Sequence, residues 1–220
     1  MKTTTLLKML SMSYVFAVLC GCENVSTDIQ QHPSNKTAGE SETLSGKNSL
    51  SVMNYDQIYQ TYVTLTGVNS SIPPNSTTVE NYYLNNKGSL PQNNDPSVLS
   101  AANMNAMTNL AAQFCQALID NGTLRAAFYA GTPFTNLTAQ NRNTLFGTPE
   151  LRTQYVDYLI QKFWGLDLDS LPQRVSARAR MITMMDELFS SSTANSNNEA
   201  RALGISGCVA GLASAEVVLF

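Results

Sequence analysis

The sequence predicts an all-α protein, a single helical-bundle domain of about five to seven helices after a disordered tether. Apolar residues recur at helical spacing in successive segments, and capping residues followed by Pro, Gln or Glu mark helix starts. Glycines and polar loops separate the segments. No series of alternating ten-residue stretches, the pattern of barrel strands, occurs.

Two helices are predicted early in the domain. The first runs from Met53 to Leu65 and ends before Gly67, because Tyr and Ile residues repeat once per turn up to that point. The second covers Thr77 to Asn86, after a break at Ile72-Pro73-Pro74-Asn75 that contains two prolines. A loop follows at residues 90–94.

The third helix has the clearest end signals. Asp95 can cap its start, Pro96 suits its first turn, and Asn121-Gly122 is typical of a left-handed stop. One apolar stripe follows the helix. Its members are Met104, Met107, Ala111, Cys115 and Leu118.

Two further helices begin with capping patterns. Thr148-Pro149 starts one that ends before Gly165, and Ser170 with Gln173 forms a capping box for the next. The inward residues of the first are expected to be Leu151, Tyr155, Leu159 and Phe163. Those of the second are expected to be Val175, Ala179, Ile182, Met185 and Phe189.

The last predicted helix, from Glu199 to Leu219, carries Gly204, Gly207 and Gly211. Each glycine costs a helix about 1 kcal/mol relative to alanine. Three of them therefore indicate a close approach to another element, and the helix that carries Cys115 is the expected neighbour.

The amino terminus resembles that of Gram-negative bacterial lipoproteins. Lys2 and Lys8 provide positive charge before a short apolar run, Met9 to Leu19. The segment Leu19-Cys20-Gly21-Cys22 resembles a lipobox. The resemblance implies removal of a signal peptide at residues 1–21 and acylation of Cys22, with palmitate as a typical acyl group. Glu23 is not the aspartate that retains such proteins in the inner membrane, so the outer membrane is expected, on its periplasmic face or at the cell surface. The alternative is an ordinary signal peptide cut elsewhere.

The mature chain would hold 199 residues, with a tether at 22–51 and a helical domain at 52–220. The tether is too polar to bury much surface, and as a coil it would span about 30 Å; the alternative is an arm packed on the domain. Eleven basic residues would face sixteen acidic ones, a net charge of −5, so no nucleic-acid partner is expected.

The numbers of cysteine and histidine residues limit the kinds of catalytic and metal site that the domain can contain. With Cys20 removed and Cys22 acylated, Cys115 and Cys208 remain, and an oxidising periplasm favours a disulfide between them; two unpaired buried cysteines are the alternative. The only histidine, His32, lies in the tether. Histidine-dependent hydrolases and zinc sites are thus not expected in the domain, although carboxylate-only glycosidase chemistry stays open. No metal or cofactor is expected, and the methionines are interpreted as core residues rather than a Cu(I) site.

Short apolar segments also resemble helical parts of Gram-negative surface proteins with LamG-like domains. They are Leu65-Thr66-Gly67-Val68, Leu90-Pro91, Met107 to Cys115 with Ala117-Leu118, and Cys208 with Leu212, Ser214 and Glu216. The resemblance implies a cell-surface helical module with two paired cysteines, and it implies no chemistry.

Two groups of side chains are candidates for binding a partner. The first is aromatic and consists of Tyr55, Tyr59 and Tyr62; the second is basic and consists of Arg174, Arg178 and Arg180. The alternatives are half-buried packing for the tyrosines and pairing with Asp167, Asp169, Asp186 or Glu187 for the arginines. The expected function is a non-enzymatic outer-membrane lipoprotein, a structural or assembly subunit that docks another envelope protein. The alternative function is a lipoprotein that binds glycan or peptidoglycan.

Overall fold

Helices of twelve to twenty residues make up most of the computed structural model, which describes residues 51–69, 75–165 and 172–218. The six long helices are α1 Tyr55–Thr66, α2 Asn75–Asn86, α3 Ala101–Asp120, α6 Pro149–Trp164, α7 Pro172–Ser191 and α8 Asn197–Leu212. The three short ones are α4 Gly122–Phe128, α5 Arg142–Phe146 and α9 Ala215–Val218. Within these ranges there is no strand, so the predicted all-α class is confirmed.

Several predictions fall on other parts of the chain. The signal peptide, Cys22, the tether up to residue 50, residues 72–74 of the predicted break and Ser170 of the capping box lie outside the described residues. Asn75, the last residue of the predicted break, instead begins α2. The described residues all belong to one compact unit, Lys47–Phe220.

Helix α8 is the centre of the bundle. It packs most extensively against α3 and also contacts α5, α6 and α7, while α1 and α2 pack on α3. A disulfide joins Cys115 of α3 to Cys208 of α8, with their Cα atoms 5.8 Å apart and both residues fully buried. This is the pair selected from the sequence. Met107, Met181, Met184 and Met185 are buried, whereas Met104 is 43% exposed.

The glycines of α8 face elements other than the predicted one. A Cβ on Gly204 would lie 2.7 Å from a methyl of Leu137, and one on Gly207 would lie 2.7 Å from the ring of Tyr155. On Gly211 it would lie 2.9 Å from the ring of Phe163. The expectation of close approach was correct, and α3 is the most extensive neighbour of α8, as expected. The atoms nearest the glycines, however, belong to Leu137 and to the aromatic residues Tyr155 and Phe163 of α6, whereas Cys208 joins α8 to α3.

The ends of α1 and α6 agree with the sequence. Asn54 and Gln57 form a capping box at the start of α1, and Gly67 ends that helix in the left-handed conformation, φ +71°. Thr148 caps α6 by accepting a hydrogen bond from the Leu151 amide. Gly165 follows the last turn.

The predicted start of α3 was wrong, whereas its end was predicted at the right place but in the wrong backbone conformation. Asp95 caps only a 3₁₀ turn, Pro96–Val98, and the helix starts after Ser100, which forms a capping box with Asn103. At the other end Asn121 has an extended backbone, φ −82° and ψ 113°. Its side chain accepts hydrogen bonds from the amides of Thr123 and Leu124, so it begins α4 instead of giving a left-handed stop.

Helices α7 and α8 also differ from the predictions. In α7 the buried face is formed by Met181, Met184 and Met185, whereas Val175 is 54% exposed and Ala179 is exposed. The predicted final helix is interrupted after Leu212. The carbonyl oxygen of Gly211 accepts hydrogen bonds from Trp164 Nε1 and Ser214 Oγ, which compete with continuation of the helix.

Candidate functional site

The tyrosines proposed for partner binding serve mainly in the core. Tyr62 is fully buried, so its assignment to a partner surface was wrong. Tyr59 is half-buried and stacks on Tyr83 with ring centroids 4.3 Å apart. Tyr55 is half-buried at the start of α1. These rings pack α1 against α2 and α3, because the helical spacing that brings them to one face turns that face inward.

The three arginines of α7 do not converge on one anion site. Arg178 binds Asp157 of α6 through two hydrogen bonds of 2.5 and 2.8 Å, an acid that the sequence analysis had not selected. Arg174 is half-buried and Arg180 is exposed. Asp186, one of the expected partners, instead binds Arg152 at 2.5 Å. Asp167 and Asp169 lie outside the described residues.

A second charged group lies inside the bundle. The guanidinium groups of Arg142 and Arg152 lie over the ring of Phe189, 4.3 and 4.6 Å from its centroid. Arg142 donates to the carbonyls of Phe189 and Ser192 at the end of α7, and Arg152 donates to that of Phe146. These bonds satisfy carbonyl groups at helix ends, so the group stabilises the fold.

A shallow and largely open groove, which the sequence did not predict, runs along α6. Its volume is about 560 Å³. Because its residues recur every three or four positions, they form one stripe along the outer face of the helix. The lining residues are Pro149, Glu150, Thr153, Gln154, Asp157, Tyr158 and Gln161. This polar and aromatic periodicity, opposite the predicted apolar stripe, is the sequence signal that could have revealed the groove.

Tyr158 is held in a fixed position within the groove. Its hydroxyl donates to the carbonyl of Phe128, and its ring stacks on Tyr129 with centroids 5.6 Å apart. The ring of Phe128 meets it edge-on at 6.1 Å, and the ammonium of Lys162 lies 5.5 Å from its centroid. Contacts on several sides therefore orient the aromatic ring before any ligand arrives.

The charged side chains in the groove already have partners within the protein. The carboxylate of Asp157 is paired with Arg178. The pKa of Glu150 is lowered, chiefly because its carboxylate accepts a hydrogen bond from its own backbone amide and then one from Thr148. By contrast, the side chains of Thr153, Gln154 and Gln161 make no hydrogen bond within the described part of the chain, so their donors and acceptors are open to a ligand.

The chain enters the bundle at a fixed point. The amide of Val52 donates to the carbonyl of Asn94, and the Asn94 side chain returns a bond to the carbonyl of Val52. The Met53 amide donates to the carbonyl of Val218, 2.9 Å away. The two ends of the described chain are thus adjacent. The N-terminus of α6 lies at the other end of the bundle, because Tyr155 contacts Gly204 early in α8 and Trp164 contacts Gly211 near its end.

Comparison with known proteins supplies no assignment, since no family model, curated protein or solved structure matches this chain. No helix in the described ranges combines the length and apolar character needed to cross a membrane. The described residues contain no cluster of three or more His, Cys, Asp or Glu side chains that could bind a metal ion.

Proposed function

We propose that this chain is an outer-membrane lipoprotein, attached through acyl groups on Cys22, whose helical domain is a structural or assembly subunit for another envelope protein. The amino-terminal pattern Leu19-Cys20-Gly21-Cys22 supports the anchor. Two or more acyl chains hold a protein stably on a bilayer, so no transmembrane helix is required.

The observation that carries the docking role is the fixed entry point at Val52 and Met53. The bonds from the Val52 and Met53 amides to Asn94 and Val218 fix one end of the helical domain, and the opposite end is the surface that we assign to a partner. That opposite end is built largely from uncharged loops. Its segments at 126–149 and 188–198 contain one charged residue, the buried Arg142. A surface without strong charge suits a protein partner better than a small ionic ligand.

The sequence alternative, a glycan binder that uses the α1 tyrosines and the α7 arginines, has less support. Tyr62 is buried and Arg178 is paired with Asp157, so these two groups do not form one cleft. We therefore place the protein-docking function first.

Metabolic labelling with radioactive palmitate tests the anchor. We expect wild-type protein and the Cys20→Ala variant to carry label, and Cys22→Ala to lose it. Label that persists in Cys22→Ala would refute acylation at that position.

Crosslinking in intact cells, followed by mass spectrometry, tests the docking role separately. We expect the same envelope protein to be recovered in repeated experiments, with crosslinks concentrated in segments 126–149 and 188–198. Failure to recover any reproducible protein partner, together with sedimentation on purified peptidoglycan, would replace docking by glycan binding.

A further inference from the structure

We propose that Asn121, at the junction of α3 and α4, is a site of spontaneous deamidation in the folded protein, and that local opening of α4 controls the rate of this reaction. The reaction consumes only water and leaves aspartate or isoaspartate at position 121. The proposal concerns the covalent structure of the domain and requires neither the lipid anchor nor the protein partner.

The first argument is the sequence at the junction, where Gly122 follows Asn121. In deamidation the backbone nitrogen of the following residue loses its proton to a base in solution and attacks the side-chain carbon Cγ. A C–N bond forms, the bond from Cγ to Nδ2 breaks, and ammonia leaves with a proton taken from the solvent. Water then opens the cyclic imide at either of its two C–N bonds, which gives aspartate or isoaspartate. Glycine has no side chain to obstruct the attack, and Gly122 is exposed.

The second argument is that the native conformation of the junction is unreactive. The imide ring forms when the Gly122 nitrogen and the Cβ of Asn121 lie on the same side of the Cα–C bond of Asn121. With ψ at 113°, this nitrogen is turned away from Cβ. The side chain is also held, because its Oδ1 accepts hydrogen bonds of 3.0 Å from the amides of Thr123 and Leu124. Deamidation therefore requires that these bonds break and that ψ rotates.

The third argument is the weak attachment of α4. The helix has seven residues, and none of them is buried. Arg125 holds it in place by donating to the carbonyl of Ile119 at the end of α3 and, at 2.9 Å, to that of Thr135. Segments with few buried contacts open at a lower free energy than the whole domain. We therefore expect α4 to open while α3 and α8, which the disulfide joins, stay folded.

The two products differ in their effect on the junction. An aspartate at position 121 can accept the same two amide bonds and adds a negative charge at the start of a helix, so Asn121→Asp should leave the fold unchanged. Isoaspartate lengthens the backbone by a methylene group, so the observed cap cannot form again. Molecules with isoaspartate would therefore carry a permanent change directly before segment 126–149.

The test is a time course of deamidation at mildly alkaline pH, with the full chain purified in detergent and a synthetic peptide of residues 117–127 as the unfolded reference. Peptide mapping by mass spectrometry measures the loss of the Asn121 amide, and an isoaspartate methyltransferase detects isoaspartate. We expect the folded protein to react at least about tenfold more slowly than the peptide, which corresponds to about 1.4 kcal/mol for opening. Low urea concentrations should change this rate little, because local opening exposes little surface.

Matched variants separate local opening from unfolding of the whole domain. Arg125→Ala should speed the reaction by about tenfold, because it removes hydrogen bonds made by a charged donor. Arg180→Ala, at an exposed arginine of α7, should leave the rate unchanged. Cys115→Ala/Cys208→Ala should also react at the wild-type rate, although it weakens the domain as a whole. Circular dichroism checks that each variant folds.

Four results would overturn the proposal. The folded protein could react as fast as the peptide, which would show that the cap gives no protection. It could show no deamidation when the peptide has reacted completely many times over. The rate could rise in low urea, or in Cys115→Ala/Cys208→Ala, in parallel with global unfolding. Finally, Arg125→Ala could react at the wild-type rate, which would show that α4 does not control the reaction.

Discussion

Two buried tyrosines of this protein differ in the hydrogen bonds that their hydroxyl groups make. Tyr155 donates to the carbonyl of Gly204 at 2.6 Å and lies 2.9 Å from the hydroxyl of Tyr129. Tyr62 is equally buried, but its hydroxyl has no hydrogen-bond partner in the described structure. Burial without a partner costs the desolvation of the hydroxyl, so the hydroxyl groups of the two residues contribute to stability with opposite signs.

We therefore expect Tyr62→Phe to raise the free energy of unfolding by about 1 kcal/mol, because it removes an unsatisfied hydroxyl and keeps the ring. Tyr155→Phe should lower it by roughly 1–3 kcal/mol, because it removes satisfied hydrogen bonds. Urea unfolding of the two variants beside wild type measures both. Equal destabilisation by the two changes would show that Tyr62 has a partner.

At the scale of the elements, Gly207 and Gly211 of α8 allow aromatic rings of α6 to reach the helix backbone, and Gly204 allows the close approach of Leu137. Tyr155 lies against Gly207 and donates to the carbonyl of Gly204. Phe163 lies against Gly211, and Trp164 donates to the Gly211 carbonyl. The helical propensity lost at these positions is offset by contacts that any Cβ would prevent.

Gly207→Ala should accordingly destabilise the protein although alanine is the better helix former. The new Cβ would lie 2.7 Å from Cε1 of Tyr155 and 3.2 Å from Sδ of Met185. The ring of Tyr155 is held by two hydrogen bonds and cannot retreat easily. We expect a loss of about 1–3 kcal/mol in urea unfolding.

Gly88→Ala is the matched control, because a Cβ there meets no atom within 4 Å. We expect it to leave stability nearly unchanged. A Gly207→Ala variant as stable as this control would contradict the proposed close packing.

The disulfide links the two helices with the most extensive contact, α3 and α8. Closing a loop of this length restricts the unfolded chain by about 4–5 kcal/mol in the chain-entropy model. We expect the Cys115→Ala/Cys208→Ala variant to unfold at lower urea concentration, with a loss of roughly 2–5 kcal/mol.

Reduced wild-type protein is the companion measurement for the disulfide variant. It should lose a similar amount of stability without any change in side-chain composition other than the broken bond. Alkylation of both Cys115 and Cys208 in denatured protein that has not been reduced would contradict the disulfide itself.

The success of the sequence-based predictions varied with the kind of signal. Thr148 and Gly67 act through bonds to their nearest neighbours, so their roles were predicted correctly, whereas the cap at Asn54 was not predicted. Asn121 was misread because the same residue type can end one helix or begin the next. The α8 glycines indicated close approach but not the partner, which depends on tertiary packing. Short helices α4 and α5 have too few residues for a periodic pattern.

The same difference between local signals and tertiary packing explains which parts of the candidate site could be predicted. Arg178 was selected for its neighbours in sequence, but its partner Asp157 is on another helix. Tyr62 was selected as an aromatic residue, and only packing shows that it is buried. The groove combines a stripe that can be read along α6 with the fixed orientation of Tyr158, which depends on Phe128 and Tyr129.

At the scale of the whole molecule, buried tyrosines make stability sensitive to alkaline pH. Burial raises the pKa of Tyr62, Tyr129 and Tyr155. In the unfolded chain these groups ionise near pH 10, whereas in the folded protein they stay protonated. The folded state therefore binds more protons above pH 10, and its stability is complete below that pH and falls as the pH rises.

We expect the free energy of unfolding, measured with urea, to be steady to about pH 9 and then to fall, by up to about 1.4 kcal/mol per pH unit for each of these tyrosines. Tyr62→Phe should show a shallower fall, because it removes one titrating group without removing a hydrogen bond. Identical slopes for wild type and this variant would contradict the contribution assigned to Tyr62.

The entry of the chain at Val52 and the disulfide at Cys115 together define a mechanical limit. Tension on the proposed tether would act first on the bonds that Val52 and Met53 make to Asn94 and Val218. Unravelling from that end could release α1, α2 and the start of α3, but the crosslink to Cys208 stops it at Cys115. The chain between residues 51 and 115 could extend by no more than about 230 Å. The groove on α6 lies inside the loop that the disulfide closes. Tension would therefore extend the N-terminal helices before it reaches the part of the chain that the disulfide holds together.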